Sequence, residues 1–175
     1  SHSVDLIFGL PGQTLAQWHE DLDTIISLRP PHLSVYGLTV EPRTVMKRQV
    51  ERQTIVVPDD AAQASMMFEA RRRLQDVGYT HYEVSSYALP GHRSQHNSSY
   101  WQGTPYLGIG PGAHGYMPPR RWTNVRRPSR YILAAMDGDP TEAVEHLDTD
   151  TLAFERIMTG LRDLEHGVDL GADWS

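Results

Sequence analysis

The sequence contains no cysteine. That excludes a disulfide framework, and it excludes any metal held by thiolates of this chain. No apolar run approaches the roughly 20 residues that span a bilayer. No basic, apolar and small-residue leader opens the chain. A surplus of positive charge is missing too: the net charge of −6 speaks against nucleic acid or an anionic membrane as partner. A cytoplasmic protein with no membrane span is the expectation. What is present is ordinary for a globular protein, with 39% hydrophobic and 22% charged residues, and 175 residues are enough to bury a core. The chain opens without Met and enters an apolar strand by Val4. Its end, "GVDLGADWS", brings no closing element, so it reads as a piece of a longer protein.

The periodicities predict an α/β order. "VDLIF" (4–8) reads as a buried strand, and "GLPGQT" follows as a turn. Thr14 and Gln17 have the spacing of a capping box, and Leu15, Trp18, Leu22, Ile25 and Ile26 predict a helix over 15–28. Pro30 and Pro31 stop it. "HLSVYGLTV" (32–40) is a second strand, giving a βαβ unit with parallel pairing. Residues 41–57 read as irregular. Pro58 and Asp59 or Asp60 start a second helix, with Ala64, Met67, Phe68, Leu74 and Val77 as its apolar stripe and Gly78 in the left-handed position after it. "THYEVSSYA" (80–88) alternates and reads as a third strand. A short helix follows Ser129. A last one is expected over about 150–164, with Leu152, Ile157, Met158, Leu161 and Leu164 inward.

In such folds, sites form beyond the carboxyl ends of the strands. Those ends carry "GLPGQT", "GLTVEP" and "SSYALPG". Their backbone amides suit a ligand, and their residues equally suit plain turns. "GLPGQT" is not a P-loop, because no lysine follows. "GIGPGAHG" (108–115) misses the G-x-G-x-x-G spacing and is not followed at once by a helical pattern. His92 and His96 are four apart, but Gly91 and Ser94 argue for a loop and no third zinc ligand is evident. Asp5, Glu41 and Glu83 read as barrel carboxylates, but Asp5 lies near the start of its strand and Glu41 past the end of the next, which speaks against a paired-carboxylate hydrolase. Arg71–Arg73 read as a solvated helix face. Arg120, Arg121, Arg126, Arg127 and Arg130 adjoin the glycine-rich segment and read either as plain surface or as the holder of an anionic ligand.

The segment "SQHNSSYWQGTPYLGIGPGAHGY" (94–116) gathers histidines, aromatics and glycines. His96, Tyr100 and Trp101 would line one side of a helical turn. Two readings stay open on composition: a buried histidine bonded to backbone among core aromatics, which is the commoner case, or an imidazole beside flat rings that suits a planar iron macrocycle.

Five motifs in order carry a resemblance: "VDLIFGLPGQT", "LSVYGLTVEP", "GYTHYEVSSYALPG", "HNSSYW" and "YLGIGPGAHGY". Over about residues 3–170 the chain resembles the radical S-adenosylmethionine (SAM) proteins related to oxygen-independent coproporphyrinogen III oxidase. It looks most like their haem chaperone branch, whose H-N-x-x-Y-W signature "HNSSYW" matches. The resemblance implies the C-terminal part of an incomplete (β/α) barrel over residues 1–90, followed by a small α/β extension over 91–175. It implies a [4Fe–4S] cluster on a Cys-x-x-x-Cys-x-x-Cys motif that this chain lacks. The chain would then be the later part of a longer protein and unable to do radical chemistry alone, and no catalytic residue is assigned to it.

By the family's motifs, Asp5 meets the SAM ribose, and Thr39 and His114 make further contacts to SAM. His96 ligates the haem iron, and Tyr100 and Trp101 shape the haem pocket. The implied function is to bind haem and SAM and deliver haem to an acceptor protein. The runner-up is a coproporphyrinogen III oxidase, and an alternative of another class is an inert scaffold. Implied partners are haem or a porphyrin, a haem-accepting protein and the missing N-terminal half, with self-association through the exposed edge of the first strand. The chain departs from the family at residues 44–57, at "SSYA" in place of "SNFA", and at "SQHN" in place of "SRHN". The last change removes an arginine suited to a haem propionate.

Overall fold

A computed structural model describes residues 2–168. The chain divides between Ser94 and Gln95 into two compact units. The remainder of the expected C-terminal extension, residues 169–175, lies outside the described residues.

In the first unit, the branched run at the start forms strand β1 (Ser3–Phe8). Helix α1 (Leu15–Leu28) begins at the expected capping box: Thr14 Oγ1 accepts from Gln17 N at 3.2 Å and Gln17 Oε1 from Thr14 N at 2.9 Å. Arg29 closes it in the left-handed conformation at φ 45°, its N–H on Ile25 and Ile26 carbonyls, before the two prolines. Strand β2 (His32–Gly37) is shorter than the expected 32–40 and pairs parallel with β1, Asp5 beside Ser34 and Leu6 beside Val35. Helix α3 (Asp60–Asp76) starts at Asp59, whose carboxylate accepts from Ala62 N, and ends against Gly78 at φ 95°.

Three expectations are corrected here. Residues 41–57 are not wholly irregular: Val45–Glu51 form helix α2, capped by Thr44 Oγ1 on Lys47 N at 3.1 Å. No residue of α2 is buried, so it shows no apolar stripe; good helix formers and a Lys47–Glu51 pair support it. The buried stripe of α3 is Met66, Ala70 and Leu74, whereas Met67 and Phe68 face outward. A small Ala70 lets α3 close on α1, where Trp18 donates from Nε1 to Met66 O at 2.8 Å. The expected third strand is a hairpin, β3 (Thr80–Glu83) and β4 (Ser86–Ala88), whose turn at Val84–Ser85 lacks the usual glycine or asparagine. The sheet order is β1-β2-β4-β3, with β4 antiparallel to both neighbours.

One face of this sheet packs on α1 and α3. Phe8, Trp18, Leu22, Ile25, Leu33, Val35, Met66, Ala70, Leu74, Tyr79 and Tyr87 form the core. Each large apolar side chain buried there contributes about 1.5–3 kcal/mol. Tyr79 satisfies its hydroxyl on Pro30 O at 2.6 Å.

The second unit begins with helix α4 (Gln95–Trp101). Strands β5 (His114–Met117), β6 (Arg120–Asn124) and β7 (Thr141–His146) form an antiparallel sheet in that order, with helix α5 (Pro128–Met136) between β6 and β7. Helix α6 (Thr149–Gly160) follows, capped by Asp148 on Thr151 N at 2.8 Å. It ends before Leu161 and Leu164, which are exposed together with Met158, so the expected inward stripe is corrected to Leu152 and Ile157, both half-buried, and the buried Gly160. Glycine is required where a strand needs close approach: a Cβ on Gly115 would enter the Trp122 indole. Among the described residues no helix is long and apolar enough to cross a membrane.

Candidate functional site

The face of the first sheet turned away from α1 and α3 carries polar residues. Cross-strand register places Asp5, Ser34, Ser86 and Glu83 in one row across its four strands. Ser34, Ser86 and Glu83 are buried and Asp5 is exposed. In the next row His32 uses both ring nitrogens, Nδ1 with Ser3 Oγ at 2.7 Å and Nε2 with the Tyr82 hydroxyl at 2.7 Å. Burial holds the His32 pKa below its ordinary value, against the opposing pull of the Asp5 and Glu83 carboxylates. Burial likewise raises Tyr82, while the Ser94 N–H it accepts at 3.2 Å opposes the rise. The exposed Asp5 carboxylate at the edge of this row can accept hydrogen bonds from ligand hydroxyls. Thr39 lies exposed in the loop after β2, whose Leu38 N–H is tied to Phe8 O at 2.8 Å.

The amides of "GLPGQT" do not form a ligand cradle. Gly9 and Leu10 donate to Gln13 Oε1 at 2.8 and 3.2 Å, and Gly12 donates to Val56 O at 3.0 Å. Of the two readings the sequence left open, the structure gives this loop the plain turn.

In the second unit the glycine-rich loop is held from beneath. Buried Asn124 donates from Nδ2 to Gly108 O and Gly110 O, both at 3.1 Å, and Gly110 N donates to the Tyr131 hydroxyl at 3.2 Å. The sequence pattern gave Asn124 no distinguishing mark. The loop leads to His114 at the start of β5, exposed, with Nδ1 3.0 Å from Thr123 Oγ1. A strand follows "GIGPGAHG", not a helix, so the dinucleotide pattern is absent here.

Helix α4 carries the signature histidine. His96 is exposed, and among the described residues neither ring nitrogen has a hydrogen-bond partner. Its ring meets Tyr100 edge-on at 4.8 Å, Tyr100 meets Tyr106 edge-on at 4.8 Å, and Tyr106 lies 5.9 Å from Tyr116. Burial raises the Tyr106 and Tyr116 pKa values. The buried-histidine reading of His96 is thereby excluded. Trp101 stacks beneath the Arg162 guanidinium at 4.2 Å, and its buried Nε1 has no hydrogen-bond partner among the described residues. His92 precedes the helix, and among the described residues no three His, Asp or Glu converge on a metal position.

Two of the five arginines beside the glycine-rich segment have structural partners. Arg121 pairs with Glu145 at 2.7 Å and Glu155 at 2.8 Å, and Arg120 lies over the Trp122 ring at 5.4 Å. On α3, Arg72 pairs with Glu69 and Asp76, and Arg73 with Asp23, as a solvated face does.

Comparison with known proteins gives a consistent set of relatives. The chain is 37% identical over 161 residues to the Heme chaperone HemW of Bacillus subtilis, covering 91% of this chain and 42% of that protein. It is 39% identical over 182 residues to the protein of the same name from Synechocystis, covering 99% and 42%. It is 45% identical over 118 residues to the mouse mitochondrial radical S-adenosyl methionine domain-containing protein 1, covering 67% and 27%. The chain thus spans about two fifths of the length of the curated relatives it matches. Among solved structures, the radical SAM enzyme coproporphyrinogen III oxidase (HemN) of Escherichia coli superposes with a TM-score of 0.72 at 19% identity, over 92% of this chain and 40% of that one. That likeness shows the fold: the chain carries part of the radical SAM α/β architecture. No family model matches.

Proposed function

Because the chain belongs to the HemW-type radical SAM proteins, we propose that it supplies the haem-ligating face of a cytoplasmic haem chaperone, which binds haem and SAM and passes haem to an acceptor protein. The observation that carries the reading is the state of His96. A structural histidine in a soluble protein is ordinarily buried and hydrogen-bonded. His96 instead stands exposed on α4, with no hydrogen-bond partner for either nitrogen among the described residues and its ring in edge-on contact with Tyr100. An exposed imidazole steadied by a neighbouring ring is a donor that an iron porphyrin can take.

Haem, when bound, supplies an iron with an open coordination position. His96 holds it, and Tyr100 offers an apolar wall to the macrocycle. Towards SAM, the exposed Asp5 carboxylate accepts from the ribose hydroxyls and the loop at Thr39 offers backbone contacts. The cluster does not fit this chain, which has no thiolate, so its ligands are assigned outside the sequence and no radical step is assigned to these residues. The oxidase reading has only the fold likeness behind it, whereas "HNSSYW" and the named relatives favour the chaperone.

Titration of the chain with haemin tests this. Binding is expected to shift the Soret band, and His96→Ala to abolish that shift while leaving the thermal unfolding midpoint in place. An unchanged spectrum in the variant removes His96 as ligand.

A further inference from the structure

We propose that Arg156 is the carboxylate-recognising residue of the haem site, selecting porphyrins by their propionates. This rests on the reading that α4 holds the haem. Two cavities flank the C-terminal end of α4. One, of about 170 Å³, is lined by Tyr100, Tyr106, Tyr116, Arg121, Glu155 and Arg156 among others. The other, of about 300 Å³, is lined by Trp101, Gln102, Arg156, Gly160 and Asp163 among others. Arg156 is common to both walls, so it borders the space beside Tyr100 and the space beside Trp101.

The first cavity is smaller than the roughly 300–1,000 Å³ that whole ligands occupy. It suits a substituent of a ligand seated outside it, such as a carboxyethyl arm. Among the described residues that line these two cavities, one cation is left for such an arm. Arg121 is neutralised by Glu145 and Glu155. Asp163 is committed to the His166 ring at 3.0 Å and to the backbone N–H groups of Glu165 and His166. The Arg156 guanidinium, exposed on α6, makes no ion pair or hydrogen bond with any described residue. A guanidinium fork matches a carboxylate in a way that an ammonium does not.

The test compares haemin with its dimethyl ester, which keeps the iron and the ring and lacks both carboxylates. Both are titrated into the chain, its Arg156→Ala and Arg156→Lys variants, and His96→Ala. The unaltered chain is expected to prefer haemin by roughly five- to tenfold. Arg156→Ala should bind both forms alike with its Soret position unchanged, and Arg156→Lys should keep part of the preference. Equal affinities in the unaltered chain, or an intact preference in Arg156→Ala, overturns the proposal. The iron ligand is read separately: loss of preference in Arg156→Ala with no spectral effect of His96→Ala would leave Arg156 standing and unseat His96. The reverse pair of results would unseat Arg156 alone, and a chain that binds neither form unseats both.

Discussion

The imidazole of His96 stands edge-on to the Tyr100 ring, four residues along one helical turn, with centroids 4.8 Å apart. The pair is held from the far side, because Tyr106 meets Tyr100 edge-on at the same distance and is itself bridged to Tyr116 through paired backbone hydrogen bonds of 2.8 and 2.9 Å. The exposed ligand thus leans on a rigid ladder of rings, which lowers the entropy lost when it is fixed.

Removing the second rung should therefore weaken binding without changing the ligand. Tyr100→Ala is expected to lower haemin affinity about three- to tenfold, the worth of one aromatic pair, with the Soret position unmoved. Tyr100→Phe should bind like the unaltered chain. A spectral change in Tyr100→Ala would contradict a supporting role.

Much of this arrangement was legible in the sequence. The capping box at Thr14 and Gln17, the βαβ order and the helical turn through His96 and Tyr100 follow from short-range spacing, which one sequence expresses. What was not legible depended on partners distant in the chain. Met66 rather than Met67 is buried, because it packs in the core with Trp18, 48 residues away in the chain. Arg121 looks like a free cation until β7 and α6 bring Glu145 and Glu155 to it. Spacing places Trp101 on the same turn as His96, but its stacking under Arg162, 61 residues further on, has no local signal. The 80–88 hairpin reads as one strand because alternation continues across a turn that has neither glycine nor asparagine.

Asp5 gives a second check. It is exposed, so Asp5→Asn should leave stability within about 0.5 kcal/mol, the usual range for surface changes. If the carboxylate meets ribose hydroxyls, saturation-transfer NMR with SAM should lose its ribose signals in the variant. Equal signals in both proteins would remove Asp5 from the site.

Stability of the first unit should fall in mild acid. His32 and His81 both have pKa values lowered by burial from 6.5, so the native state prefers their neutral forms. As pH falls below the unfolded value, the unfolded chain takes up protons that the native chain refuses, and unfolding becomes easier. The stabilisation is complete above about pH 6.5 and is lost as pH falls towards the folded values. Urea midpoints at pH 7.5 and 5.5 should show this decline. His32→Gln should be less stable at the higher pH and lose part of the slope; an undiminished slope would place the effect elsewhere.

The outer edge of β1 completes the argument from packing. Within the described residues β1 pairs on one side only, with β2, and presents Ile7 half-exposed on the polar face. An unpaired strand edge with an apolar residue beside it is a template for another strand. The chain is therefore expected to self-associate as its concentration rises, seen as a light-scattering mass above the 19.8 kDa of one copy. Ile7→Lys puts a charge on that edge strand and should return the mass to a single copy. A mass that stays at one copy at high concentration in the unaltered chain would show that the edge is protected without help.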